Sequence, residues 1–91
     1  MSFRFVILGA GPIASKFADA VRRIGGAEVI GVGSRSMARG AEFAKANGIP
    51  HAGSYEEMLA LRPDAAYIAA TTEAHAALTR LCIEHGVPVL C

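Results

Sequence analysis

Phe5-Val6-Ile7-Leu8-Gly9-Ala10-Gly11-Pro12-Ile13-Ala14 lies near the start of a 91-residue chain, and the order of residue types within it decides the fold. The apolar run reads as a buried strand, Gly9 to Gly11 as a tight turn, and Pro12 onward as the first turn of a helix. Gly9 permits the turn. Gly11 lets a ligand approach the backbone because no Cβ intervenes. Pro12 suits the opening of a helix, where its missing N–H costs nothing. The remaining free N–H groups, with the positive end of the helix dipole, favour an anion. Ala14 stands where a third glycine would serve close helix–strand packing. This stretch predicts a turn that seats the pyrophosphate of a dinucleotide; the plainer alternative is an ordinary glycine loop.

Outward from that turn, the chain alternates between helical and strand periods. Phe17, Ala20, Val21 and Ile24 recur at helical spacing until Gly25-Gly26. Val29–Val32 reads as a second buried strand, followed by Gly33-Ser34-Arg35. Ser36 is a candidate N-cap for a helix turning Ala41, Phe43 and Ala44 inward, closed by Asn47-Gly48. A short strand is expected around Ile49–His51. Ser54-Tyr55-Glu56-Glu57 has capping-box spacing and opens a third helix with Met58, Leu59 and Leu61. Pro63-Asp64 ends it. Ala65–Ala70 is a further strand, and Thr71-Thr72 starts a helix with Ala76, Ala77, Leu78, Leu81 and Cys82 inward. Val87–Cys91 is the fifth strand. Right-handed crossovers then predict one domain over residues 1–91, an α/β doubly wound parallel sheet in the order 3-2-1-4-5.

Composition narrows the function classes. The chain is 53% hydrophobic, which suits a parallel sheet covered on both faces. Its net charge of +1 leaves no electrostatic footprint for nucleic acid or an anionic membrane. No apolar stretch reaches the ~20 residues needed to span a bilayer. Met1-Ser2-Phe3-Arg4 lacks the layout of a signal peptide. Cys82 and Cys91 make neither a disulfide framework nor a metal site. The expected setting is a reducing cytoplasm, with a small molecule as partner and no metal.

In such a sheet, ligands meet the carboxyl ends of the strands near the point where strand order reverses. Those positions are Gly9 to Ile13, Ser34-Arg35, and Thr71 to His75, including Thr72. An acidic residue ending the second strand would accept hydrogen bonds from an adenosine ribose. Ser34 and Arg35 stand there instead, with Arg39 one helical turn further on. A guanidinium in that place pairs with a 2′-phosphate, so the expected cofactor is NADP, with NAD the alternative. Glu28 is no substitute, since six residues of strand separate it from Ser34 by ~20 Å. Both arginines also have a plain reading as solvated surface groups. His75 has two readings, a neutral imidazole near the nicotinamide and an ordinary surface histidine. Tyr55 has two as well, an approach to the adenine side and simple packing at a helix start. His85, in a last helical turn, is read as structural.

Taken together, Gly9 to Ala14, Gly33-Ser34-Arg35, Ser54 to Leu59, Tyr67-Ile68-Ala69, Thr71 to His75 and Val89-Leu90-Cys91 resemble a known family. It is the glucose–fructose oxidoreductase, inositol dehydrogenase and MocA family of NAD(P)-dependent oxidoreductases, matched at its amino-terminal domain. Ser34-Arg35 is similar to the NADP-using dihydrodiol and sugar dehydrogenase branches. The resemblance implies that Thr71 to His75 lies beside the nicotinamide ribose, although Thr72 replaces the usual proline. It also implies that a Glu-Lys-Pro segment, whose lysine positions substrate, follows the Val-Leu-Cys at which this chain stops.

The expectation is therefore a cofactor-binding module, without a catalytic residue of its own and without turnover. Its parent would transfer a hydride between NADP(H) and a sugar, polyol or diol, and would form a homo-oligomer through the carboxy-terminal domain. Two other classes compete. A methyltransferase also uses a glycine turn after its first strand, but calls for an acidic residue where Ser34-Arg35 stands. A non-catalytic coenzyme-binding sensor shares the architecture.

Overall fold

The computed structural model describes residues 2–90. Strand β1 (Phe3–Leu8) is central because both its edges are taken, by β2 (Ala27–Gly33) and by β4 (Ala65–Ile68). β3 (His51–Gly53) pairs outside β2, and β5 (Val89–Leu90) outside β4. All pairings are parallel, and the order is β3-β2-β1-β4-β5, as right-handed crossovers require. Between the strands run α1 (Pro12–Arg23), α2 (Met37–Asn47), α3 (Tyr55–Leu59) and α4 (Thr72–Glu84).

The pleat of β1 divides the core in two. Val6 and Leu8 point to one face and join Met58, Leu59, Leu78 and Cys82. Ile7 points to the other and joins Ala14, Ala18 and Ala44. So α3 and α4 cover one face, and α1 and α2 the other. All three β1 residues are fully buried. This two-sided burial explains why the strands read as continuous apolar runs rather than alternating ones. Cys82 is a core residue whose thiol burial pushes up, a backbone hydrogen bond partly opposing this. Among the described residues no helix is long and apolar enough to cross a membrane.

Several boundaries differ from the sequence reading. β1 and β2 begin two residues before Phe5 and Val29, where Phe3 and Ala27 already pair. The third strand is His51–Gly53, not Ile49–His51. Ile49 is buried in the turn that follows α2 and contributes packing rather than a ladder. β4 stops at Ile68, so Ala69 and Ala70 belong to the crossing into α4. Cys91, assigned to the fifth strand, lies outside the described residues.

Helical faces are also rotated from expectation. The buried stripe of α1 is Ala14, Ala18 and Val21, while Ala20 is exposed. Ile24 caps the helix and is 65% exposed, so it lies beyond the last residue whose direction the period governs. In α2 the stripe is Gly40 and Ala44, leaving Ala41 outside. In α4 it is Leu78 and Cys82, with Ala74 and Leu81 beside them and Ala76 and Ala77 exposed. Runs of alanine carry no amphipathic contrast, so the period alone could not choose between adjacent faces.

Arg4 is a contact that no motif announces. Its guanidinium donates to the carbonyl oxygens of Leu61 (3.2 Å) and Arg62 (3.0 Å), holding the turn after α3. Its backbone N–H donates to Asp64 Oδ2, and its carbonyl accepts from the Asp64 N–H, both at 2.8 Å. Arg62 sits at φ 56°, a conformation this clamp helps to hold.

Candidate functional site

The β1–α1 turn is fixed by its neighbours. Gly9 has φ 118°, the region that favours glycine. Its N–H donates to the Gly33 carbonyl at the end of β2, and the Ala69 N–H after β4 donates to the Leu8 carbonyl, each at 2.8 Å. A Cβ at Gly9 would collide with the carbonyl oxygen of Ala69 and come within 2.8 Å of its carbon. Gly11 has a different role. Its backbone is extended, and a Cβ added there meets nothing within 4 Å, because it would project into open space.

The helix starts show a further contrast. Ser36 accepts from the Arg39 N–H at 3.2 Å, Ser54 from the Glu57 N–H at 3.1 Å, and Thr71 from the Ala74 N–H at 3.4 Å. At α3 the Glu57 carboxylate also accepts from the Ser54 N–H at 2.8 Å, completing the predicted capping box. α1 alone among the described helices opens on a residue without a side chain, Gly11. Its first-turn N–H groups at Ile13 and Ala14 therefore lack a side-chain acceptor and face the cleft end with the positive end of the dipole.

A cleft of about 740 Å³ opens at the carboxyl ends of β1, β2 and β4. Of the ligand-facing positions read from sequence, it is lined by Gly9 to Ile13, Ser34, Arg35, Arg39, Thr71 and Ala74. Ala14 lies beneath it, fully buried between α1 and the sheet, in the packing position its small size suggested. Thr72 is exposed on the first turn of α4, outside the lining. His75 is half-buried and also outside it, with Nδ1 3.5 Å from Thr79 Oγ1. The Thr79 hydroxyl donates in turn to the His75 carbonyl at 2.8 Å.

The charge of the lining is one-sided. Arg35 and Arg39 are both exposed, and no aspartate or glutamate lines the cleft among the described residues. The ion pair found among those residues joins Arg22 to Asp19 at 3.1 Å, and involves neither arginine of the cleft. Glu28 is at the other end of β2, beside a separate hollow of about 240 Å³ with Arg22 and Asn47. Ser34 Oγ accepts from the Ser36 N–H at 3.2 Å, which folds the chain around Arg35 toward α2. Sequence reading passed over Ser36 as a lining residue and left Tyr55 undecided; both border the cleft. The signal for Ser36 was its role as N-cap, which already placed it at the carboxyl end of β2.

A parallel sheet with a glycine turn and an open helix start at its switch point defines a dinucleotide-binding class of domain. The family model described as an oxidoreductase family with an NAD-binding Rossmann fold matches residues 3–91. The chain belongs to that family, the glucose–fructose oxidoreductase, inositol dehydrogenase and MocA oxidoreductases. It is 43% identical to trans-1,2-dihydrobenzene-1,2-diol dehydrogenase of Bos taurus, over 100% of this chain and 28% of the bovine one. It is 37% identical to 1,5-anhydro-D-fructose reductase of Ensifer adhaerens, over 97% of this chain and 27% of that protein. Its fold matches an oxidoreductase from Agrobacterium radiobacter, solved with NAD+, L-tartaric acid and magnesium, at a TM-score of 0.90 and 24% identity. That match covers 100% of this chain and 27% of the other. The chain thus spans little more than a quarter of the length of these relatives.

Proposed function

We propose that this chain binds NADP(H) in the cleft and forms the cofactor half of an oxidoreductase acting on a diol or sugar. The observation that carries the reading is a cleft lined by Arg35, just past the end of β2, and Arg39, in the first turn of α2. Among the described residues there is no ion pair to either, and no aspartate or glutamate in the lining. The open α1 start suits a pyrophosphate, and Gly11 leaves room for it to approach. Arg35, with Ser34 and Arg39, suits a 2′-phosphate on the adenosine ribose, which a carboxylate would repel. NAD lacks that phosphate and so offers these residues no anion at the adenosine ribose.

The chemistry supplied by the bound cofactor is hydride transfer. This chain's part is to bind and orient. Neither lysine nor histidine lines the cleft among the described residues, and Tyr55 is the one lining side chain there that could donate a proton as a general acid. The names of the bovine and Ensifer relatives suggest a substrate with adjacent hydroxyl or carbonyl carbons for the longer protein. The expected result is retention of the 91-residue chain on a 2′,5′-ADP resin, release by NADP at concentrations where NAD fails, and no NADPH formation with a panel of diols and sugars. Equal release by NAD would contradict the cofactor assignment. Turnover would contradict the reading of this chain as a cofactor-binding part without a catalytic group of its own.

A further inference from the structure

We infer that Tyr55 is a positioning residue that holds the adenine ring against the wall of the cleft; the inference rests on the cofactor reading above. Tyr55 is the first residue of α3, and the reciprocal bonds between Ser54 and Glu57 fix that helix start. Its other anchor is Gly33, the last residue of β2. A Cβ at Gly33 would stand 3.0 Å from Tyr55 Cδ1 and 3.1 Å from its Cα. The missing side chain therefore lets α3 settle onto the strand end, bringing the phenol ring beside Ser34-Arg35.

Tyr55 is half-buried, packed against the core cluster that contains Met58 and Leu59. It lines the main cleft and also the adjoining groove along α4, as Arg35 does. With Ala74, which lines both as well, the two residues stand between the two hollows. If Arg35 meets the 2′-phosphate, the adenine of the same nucleoside lies within a few ångströms of these residues. A flat apolar base there gains from an aromatic surface and from a guanidinium plane. The remaining lining near the end of β2 is Ser34, Ser36 and Arg39, none of which offers an aromatic surface.

Tyr55 and Tyr67 are the chain's tyrosines, and it has no tryptophan. In a Tyr67→Phe background, Tyr55 alone carries the ultraviolet emission. Tyr67 stacks on Phe17 at 4.0 Å, a packing that phenylalanine keeps. Titrating 2′,5′-ADP into that variant should quench the emission saturably, while nicotinamide mononucleotide should leave it unchanged. Tyr55→Leu, which retains apolar packing, should weaken NADP and NAD alike by about tenfold and leave their ratio as it was. Tyr55→Phe should bind within about twofold of the native chain, because the ring rather than the hydroxyl is used. If NADP binds with full dependence on Arg35 while Tyr55→Leu binds like the native chain and the emission is unquenched, the role of Tyr55 is overturned alone. If neither NADP nor 2′,5′-ADP binds the native chain, the cofactor reading falls and this inference with it.

Discussion

Gly9→Ala is expected to unfold most of the chain under conditions where the native protein is folded. Two costs meet at this residue. A side chain at φ 118° is strained by about 1–3 kcal/mol. Its Cβ also collides with the Ala69 backbone, and forcing such overpacking costs a further ~1–3 kcal/mol or more. The obstacle is a main-chain carbonyl anchored through the Ala69 N–H to Leu8, so it cannot turn aside as a flexible side chain would. Against a total stability of about 5–15 kcal/mol for a domain of this kind, a loss of about 2–6 kcal/mol removes a large share and moves the midpoint well below the native one. A urea melt followed by circular dichroism checks it. An unchanged midpoint would mean that β1 and β4 can separate at their carboxyl ends without harm.

Gly11→Val is expected to do the opposite, leaving the fold and removing the binding. The Gly11 backbone at φ -108° and ψ -174° is open to any residue, and its Cβ would meet no protein atom within 4 Å. Replacing glycine at an N-cap by a branched residue costs only about 1 kcal/mol. The branched side chain would occupy the approach to the free N–H groups of α1. NADPH affinity, read by its fluorescence, should fall by at least about tenfold while the melt shifts little. Native affinity in a folded Gly11→Val protein would remove this turn from the site.

The contrast between these two glycines shows what a sequence can and cannot carry. Both were legible as a tight turn between a strand and a helix, since strand, glycines and proline occur in the order that local geometry demands. Their division of labour was legible in outline, Gly9 for the turn and Gly11 for open approach, but the partner that constrains Gly9, the Ala69 backbone sixty residues away, was not. Sheet order followed from the alternation of elements and the handedness of crossovers. Helical faces in the alanine-rich α2 and α4 did not follow, because alanine can face either way at little cost. The third strand was displaced because Ile49 was read as a ladder residue from its hydrophobicity, whereas it fills the α1–α2 side of the core from a turn.

The positive charge beside the end of β2 was legible from the Ser34-Arg35 pair, and the fold brings both residues to the cleft lining. The sequence also set Glu28 aside by its distance along β2, but could not show whether an acid from elsewhere in the chain reaches the cleft. The fold answers this, since no aspartate or glutamate lines the cleft among the described residues. Arg4 and Tyr55 were passed over or left undecided for the same reason. Their partners, Leu61 and Arg62 for one and Gly33 for the other, are distant in sequence and unremarkable by type.

Calorimetric titration of NADP and NAD into the native chain and into Arg35→Ala bears most directly on what this cleft recognises. A charge-assisted contact to a phosphate contributes about 1.5–3 kcal/mol. The native chain should therefore bind NADP at least about tenfold more tightly than NAD, since 1.4 kcal/mol is a factor of ten. Arg35→Ala should erase most of that difference by weakening NADP alone, with NAD affinity unchanged. Tighter binding of NAD by the native chain, or equal losses for both cofactors in Arg35→Ala, would contradict the account.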